Sequence, residues 1–120
     1  MKPLGRPPHL RLRSPKEFAR VYDAQQKAGD GHLLLFAASN ELGHARCGVS
    51  VSRKHGGAVR RNRLKRLLRE AFRLERPELP SDLDLILIPR PDSGATLDDY
   101  RRSLYALAWK LSRRMAKERE

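Results

Sequence analysis

The stretch "DLDLILIP", residues 82–89, constrains the fold most tightly. It is an apolar run closed off by Pro80 and Pro89, which marks a buried strand. The partners available to it are two further strand-like stretches. "HLLLFAAS" precedes the turn "NELGH", and "ARCGVSVS" follows it. The second places Cys47, Val49 and Val51 on one face and Gly48, Ser50 and Ser52 on the other. A hairpin is the simple expectation for these two.

Helices fill the rest. "SPKE" is a capping box, with Ser14 as N-cap, Pro15 at the first position and Glu17 at the third, so a short helix is predicted from about Ser14 to Lys27. A long helix is predicted from Ala58 to Leu74, broken by "RPELPS". Thr96 caps a last helix, with Asp98 and Asp99 near its positive end. Leu97, Tyr100, Leu104, Leu107, Ala108, Leu111 and Met115 form its apolar stripe. The order is helix, strand, strand, helix, strand, helix. It predicts an α+β domain: a two-layer sandwich of three helices on a small mixed sheet, with room for a short extra strand. The domain is expected over residues 14–116, with a flexible basic arm at 1–13 and a charged tail at 117–120.

Charge speaks to partners. Lys and Arg number 26 against 14 Asp and Glu, a net +12, which calls for a polyanion. No apolar run approaches the ~20 residues of a membrane span, and "MKPLGRPPHLRLRS" lacks the apolar stretch of a signal peptide. A cytoplasmic protein is expected. Cys47 is the only cysteine, which fits that compartment and removes Cys-based zinc motifs.

The charge is concentrated in "VSRKHGGAVRRNRLKRLLREAFR", residues 51–73. At 100° per residue, Leu64, Leu67, Leu68, Ala71 and Phe72 share one side. Asn62, Lys65, Arg66, Arg69 and Arg73 fan across the other; Arg63 lies at its margin and Arg61 near the apolar stripe, at the first turn. From Arg53 to Arg76 there are ten cations and two acids, +8 of the whole +12. A merely solvated face would pair its charges. Here Arg66–Glu70 and Glu70–Arg73 are the expected pairs, and the other cations face each other at a cost of a few tenths of a kcal/mol each. Cations at the N-terminal turn also oppose the helix dipole. A bound anion would offset these costs. Arg suits phosphate with its planar fork, and Gly56 and Gly57 let backbone N–H groups approach it at the helix start.

"AVRRNRLKRLLREAFR" resembles the signature of the bacterial ribonuclease P protein family: an Arg-Asn-Arg helix preceded by Ser-Lys-Lys-x-Gly-Asn-Ala-Val and followed by Lys-Arg, an Arg-Glu or Arg-Gln pair and Ala-Phe. Arg61, Asn62 and Arg63 match the triplet; Lys65, Arg66, Arg69, Glu70, Ala71 and Phe72 keep its register. "RLRSPKEFARVY" and "DLDLILIPRP" resemble flanking family segments, so the likeness spans roughly residues 10–115. Gly57 replaces a usual Asn, and His55 a usual aliphatic.

The resemblance implies a subunit that binds a large catalytic RNA and helps remove 5′ leaders from precursor tRNA. The chemistry would lie in the RNA and its Mg²⁺, with no catalytic or metal-binding residue in this chain and no obligate protein partner. Arg53, Lys54, Arg60, Arg61, Asn62, Arg63, Lys65, Arg66 and Arg69 would face the RNA subunit. Phe18, Tyr22 and Phe36, with Arg11 and Arg13 and the neighbouring Arg53 and Lys54, would line a cleft for the single-stranded leader. Aromatics stack bases and cations track the backbone. The family also implies a left-handed β-α-β crossover, against the general right-handed rule.

Two other classes compete. An independent nuclease needs converging carboxylates; Asp82 with Asp84 and Asp98 with Asp99 are the candidates, more simply read as strand-edge solubility and dipole complement. A structured-RNA binder of ribosomal type, with no part in cleavage, would share the charge but not the Arg-Asn-Arg pattern.

Overall fold

A computed structural model describes residues 10–119. The elements are α1 (Pro15–Asp23), β1 (Gln26–Gly29), β2 (Leu33–Ser39), β3 (Arg46–Val49), a 3-10 turn (Arg53–His55), α2 (Ala58–Glu75), a second 3-10 turn (Arg76–Glu78), β4 (Leu83–Pro89) and α3 (Leu97–Glu118). The four strands form one mixed sheet in the order β1-β2-β4-β3. β4 runs antiparallel to β2, with Leu35 opposite Leu87, and parallel to β3, with Cys47 opposite Leu85.

This sheet corrects the expected hairpin: β2 and β3 do not pair, because β4 inserts between them. It also supplies the extra strand. Gln26–Gly29, read from sequence as the end of the first helix, pairs with β2. The helix stops at Asp23, and Gln25 adopts a positive φ of 57° just beyond it.

Alternation divides the sheet into two faces. Leu33, Leu35, Ala37, Leu85, Leu87 and Cys47 point into the main core with Leu68, Ala71 and Phe72 of α2 and Tyr100, Leu104, Leu107, Ala108 and Leu111 of α3. Both predicted helical stripes pack here. On the other face, Ala38 and Ile86 form a second cluster with Val21 and Leu12, flanked by Phe18, Tyr22, Phe36 and Ile88. The helices are therefore divided between the two faces of the sheet, α1 opposite α2 and α3.

The folded unit begins before residue 14. Leu10 and Leu12 are buried, and the Leu12 N–H donates to the Cys47 carbonyl at 3.0 Å, adding a short parallel edge beside β3. At the other end α3 runs through Lys117 to Glu118, into the expected tail. The rest of the proposed arm, residues 1–9, lies outside the described residues. No helix among the described residues is long and apolar enough to cross a membrane.

Candidate nucleic-acid interface

Two of the three helices are closed at their N-termini by complete capping boxes. Ser14 accepts from the Glu17 N–H at 3.1 Å while Glu17 accepts from the Ser14 N–H; Thr96 and Asp99 repeat the pattern on α3. The Arg13 and Ser14 N–H groups hold the Glu17 carboxyl below its ordinary range. α2 is different. Its N-cap is Gly57, no side chain caps it, and its first turn holds no acid. The first-turn N–H groups are left at the positive end of the helix dipole.

Cations gather around that open end. Among the described residues Arg61, Arg63, Lys65 and Arg66 form no salt bridge. Arg60 meets Asp92 at 3.4 Å, with both side chains largely exposed, a pair of little strength. Arg73 holds both Glu70 oxygens, at 2.9 and 2.7 Å, so the expected Arg66–Glu70 pair does not form. Arg61 is half-buried and its Nε has no hydrogen-bond partner in the described protein. Asn62 and Arg63 are exposed on the next positions, and Lys65 and Arg69 are half-buried along the same helix. An open depression of about 570 Å³ lies beside the triplet, lined by Gly57, Val59, Arg60, Arg63, Leu64 and Ala95 among others.

The lead-in turn carries Arg53 and Lys54, both exposed, between β3 and this helix end. His55, which departs from the family pattern, is buried and anchors the turn. Its Nε2 donates to the Pro89 carbonyl at 2.6 Å, and its Nδ1 accepts from the Ser52 N–H at 3.1 Å. That pairing locks the ring in place between the lead-in turn and the end of β4. Gly56 follows with φ 117°, a conformation that residues with a Cβ adopt only under strain. Gly57 has ordinary extended geometry and open space around it.

The second group of expected site residues also comes together. Tyr22 and Phe36 meet edge to face, ring centroids 4.9 Å apart at 75°. Phe18 lies over Gly48 of β3, where an added Cβ would sit 2.5 Å from its Cζ. All three rings are half-buried, packed at one side and open at the other. They pack, with Ile88, against the cluster that Leu12, Val21, Ala38 and Ile86 bury between α1 and the sheet. Arg11 and Arg13 edge it along the Leu12 segment; Arg13 is exposed, and Arg11 is half-buried with its Nε unpartnered in the described protein.

Sequence reading missed Lys27, whose Nζ lies 5.9 Å from the Phe36 ring centroid; the β1 strand that carries it was taken for helix. It also misjudged Asp84. Far from lying at a soluble edge, Asp84 is fully buried and bound by Arg20, Arg46 and Asn40.

Residues 7–112 match the family model described as Ribonuclease P. The chain belongs to the ribonuclease P protein family. A relative from Desulfovibrio desulfuricans, a ribonuclease P protein component, is 41% identical over 113 residues, covering 92% of this chain and 86% of the relative. Another from Yersinia enterocolitica is 40% identical over 119 residues, 98% and 97% of the two chains. Among solved structures, the ribonuclease P protein of Thermotoga maritima superposes with a TM-score of 0.75 at 30% identity, over 83% of this chain and 96% of that one. The Staphylococcus aureus protein gives 0.71 at 30%, over 86% and 94%.

Proposed function

We propose that the chain is the protein subunit of ribonuclease P, binding the catalytic RNA through α2 and the 5′ leader of precursor tRNA through the α1–sheet cleft. The observation that carries the first half is the uncapped, cation-lined start of α2. Arg61, Arg63, Lys65 and Arg66 have no acid paired with them among the described residues. Phosphate oxygens are the complement to that array. The second half is supported by the three half-open aromatic rings beside Arg11, Arg13 and Lys27, a stacking platform with a cationic border.

Cleavage chemistry belongs to the RNA in this reading. Mg²⁺ goes with the RNA partner in the same reading. Asp84, one of the four carboxylates considered for an independent nuclease, is already paired with two guanidinium groups. The cell compartment that follows is the cytoplasm.

The test is reconstitution. The protein is mixed with a bacterial ribonuclease P RNA at low Mg²⁺, and 5′-leader release from precursor tRNA is followed beside protein-alone and RNA-alone controls. Release only with both present is the expected result. Release by the protein alone would return the chemistry to this chain, and RNA binding without stimulation would favour a plain structured-RNA binder.

A further inference from the structure

α1 sets one buried side chain, Val21, and two half-buried rings, Phe18 and Tyr22, against the sheet, while Phe36 belongs to the sheet. A four-residue ionic cluster adds a second hold on the helix. Arg46 of β3 donates to both Asp84 oxygens, from Nε at 2.9 Å and Nη2 at 2.7 Å, and from Nη1 to Glu17 of α1 at 3.0 Å. Arg20 of α1 pairs with Asp84 and donates to the Ser39 carbonyl at 3.0 Å. Asn40 gives Asp84 a further donor at 2.7 Å.

The strand register places this cluster at one end of the cleft. Asp84 pairs with Ala38 on one side and Arg46 on the other, and shares its sheet face with Ile86 and Ile88. The face is thus ionic where α1 docks and apolar where the rings open. Glu17 and Arg20 flank Phe18 on the helix, so their tether sets the gap between the α1 rings and Phe36.

We infer that Asp84, Arg46, Arg20 and Glu17 form a charge-neutral clamp that positions α1 for leader binding without touching RNA. This rests on the leader-cleft reading above. Its discriminating consequence concerns cations. Arg20 and Arg46 lie beside the cleft and look like phosphate ligands, but their charge is committed to Asp84 and Glu17. A phosphate ligand for single-stranded RNA contributes about 0.7 to the salt slope. A clamp residue contributes none, yet its loss displaces a stacking platform.

The test uses the reconstituted complex with precursor tRNA and with leaderless tRNA, each titrated across salt. The variants are Asp84→Asn, Arg20→Met and Arg20→Lys, the Arg20 pair being milder should Asp84→Asn not fold. Asp84→Asn and Arg20→Met are expected to lower the leader-dependent gain in affinity by about ten-fold, the equivalent of one stacked base. The affinity for the RNA subunit stays unchanged in both, and the salt slope stays unchanged in Arg20→Met. Amide exchange rises in α1 and not in α2 or α3, and Arg20→Lys restores part of the gain. A salt slope lowered by about 0.7 would make Arg20 a phosphate ligand and overturn the clamp. So would folded variants that discriminate as well as the wild type. Failure of the cleft reading looks different: the wild type itself would bind leader-bearing and leaderless RNA alike.

Discussion

Gly48→Ala probes the proposed leader site by shape alone. Gly48 lies on β3 with no positive φ, so alanine meets no backbone strain there. Its Cβ would sit 2.5 Å from Phe18 Cζ, 2.9 Å from Cε2 and 3.2 Å from Leu12 Cβ. Carbon contacts settle at about 3.5–4.0 Å, so the Phe18 ring must retreat by roughly 1 Å or leave its rotamer. Overpacking of this kind costs about 1–3 kcal/mol. The loss of glycine freedom in the unfolded chain returns about 0.4–1 kcal/mol. The net is a destabilisation of about 1 kcal/mol, a fall in Tm of roughly 3–6 °C. Thermal unfolding measures that directly. The same protein, reconstituted with the RNA, should lose leader-dependent affinity while its RNA-subunit affinity and salt slope hold. Adding Phe18→Leu should recover stability but not leader binding, since the clash goes and the ring with it. An unchanged or raised Tm with full leader discrimination would refute the placement of Phe18 over Gly48.

Arg61→Ala and Arg63→Ala should each flatten the salt dependence of RNA-subunit binding by about one phosphate contact; slopes equal to wild type would remove them from the interface. Leu68→Asp puts a charge at a fully buried site on α2 and should abolish cooperative thermal unfolding. Gly56→Ala forces alanine to φ 117° with its Cβ 2.7 Å from Arg60 Cδ, a strain of about 1–3 kcal/mol, read as a lower Tm together with weaker RNA binding. Glu17 is depressed in the folded state by the Arg13 and Ser14 N–H groups. Its contribution is therefore full above its unfolded pKa and lost as pH falls through the lower folded value. Glu17→Gln should flatten that acid limb of the stability curve, and an identical limb in the variant would contradict the capping box.

Local signals in the sequence were read well. The Ser14–Glu17 box, the Thr96 cap, the α2 and α3 stripes and the buried 83–89 strand all depend on neighbours within a turn or two. β1 failed because Gln26, Lys27 and Ala28 have no strand propensity of their own; their pairing comes from β2. The β2–β3 hairpin failed because nothing in residues 33–49 signals that a strand 34 or more residues later fits between them. The same distance hid Asp84. Its partner Arg20 lies 64 positions away, so a buried ionic site looked like a polar interruption of an apolar run. The cation face of α2 was legible because helical geometry alone sorts it. The grouping of Phe18, Tyr22 and Phe36 was legible only through family resemblance, since Phe18 and Tyr22 reach the Phe36 side of the sheet through tertiary docking.

The central place of β4 has a consequence for synthesis. The ribosome makes α1, β2, β3 and the whole of α2 before it reaches residue 83. Until then β3 lacks its partner β4, the α2 stripe has no complete sheet to cover, and α1 lacks the Asp84 carboxylate that Arg20 pairs with. The first helix translated is thus among the last to find its seat. Contacts of such long sequence separation form late and slowly. Both surfaces proposed to meet RNA reach their final setting only once β4 is made, so a chain stalled before it would carry the charge of the protein without its shape.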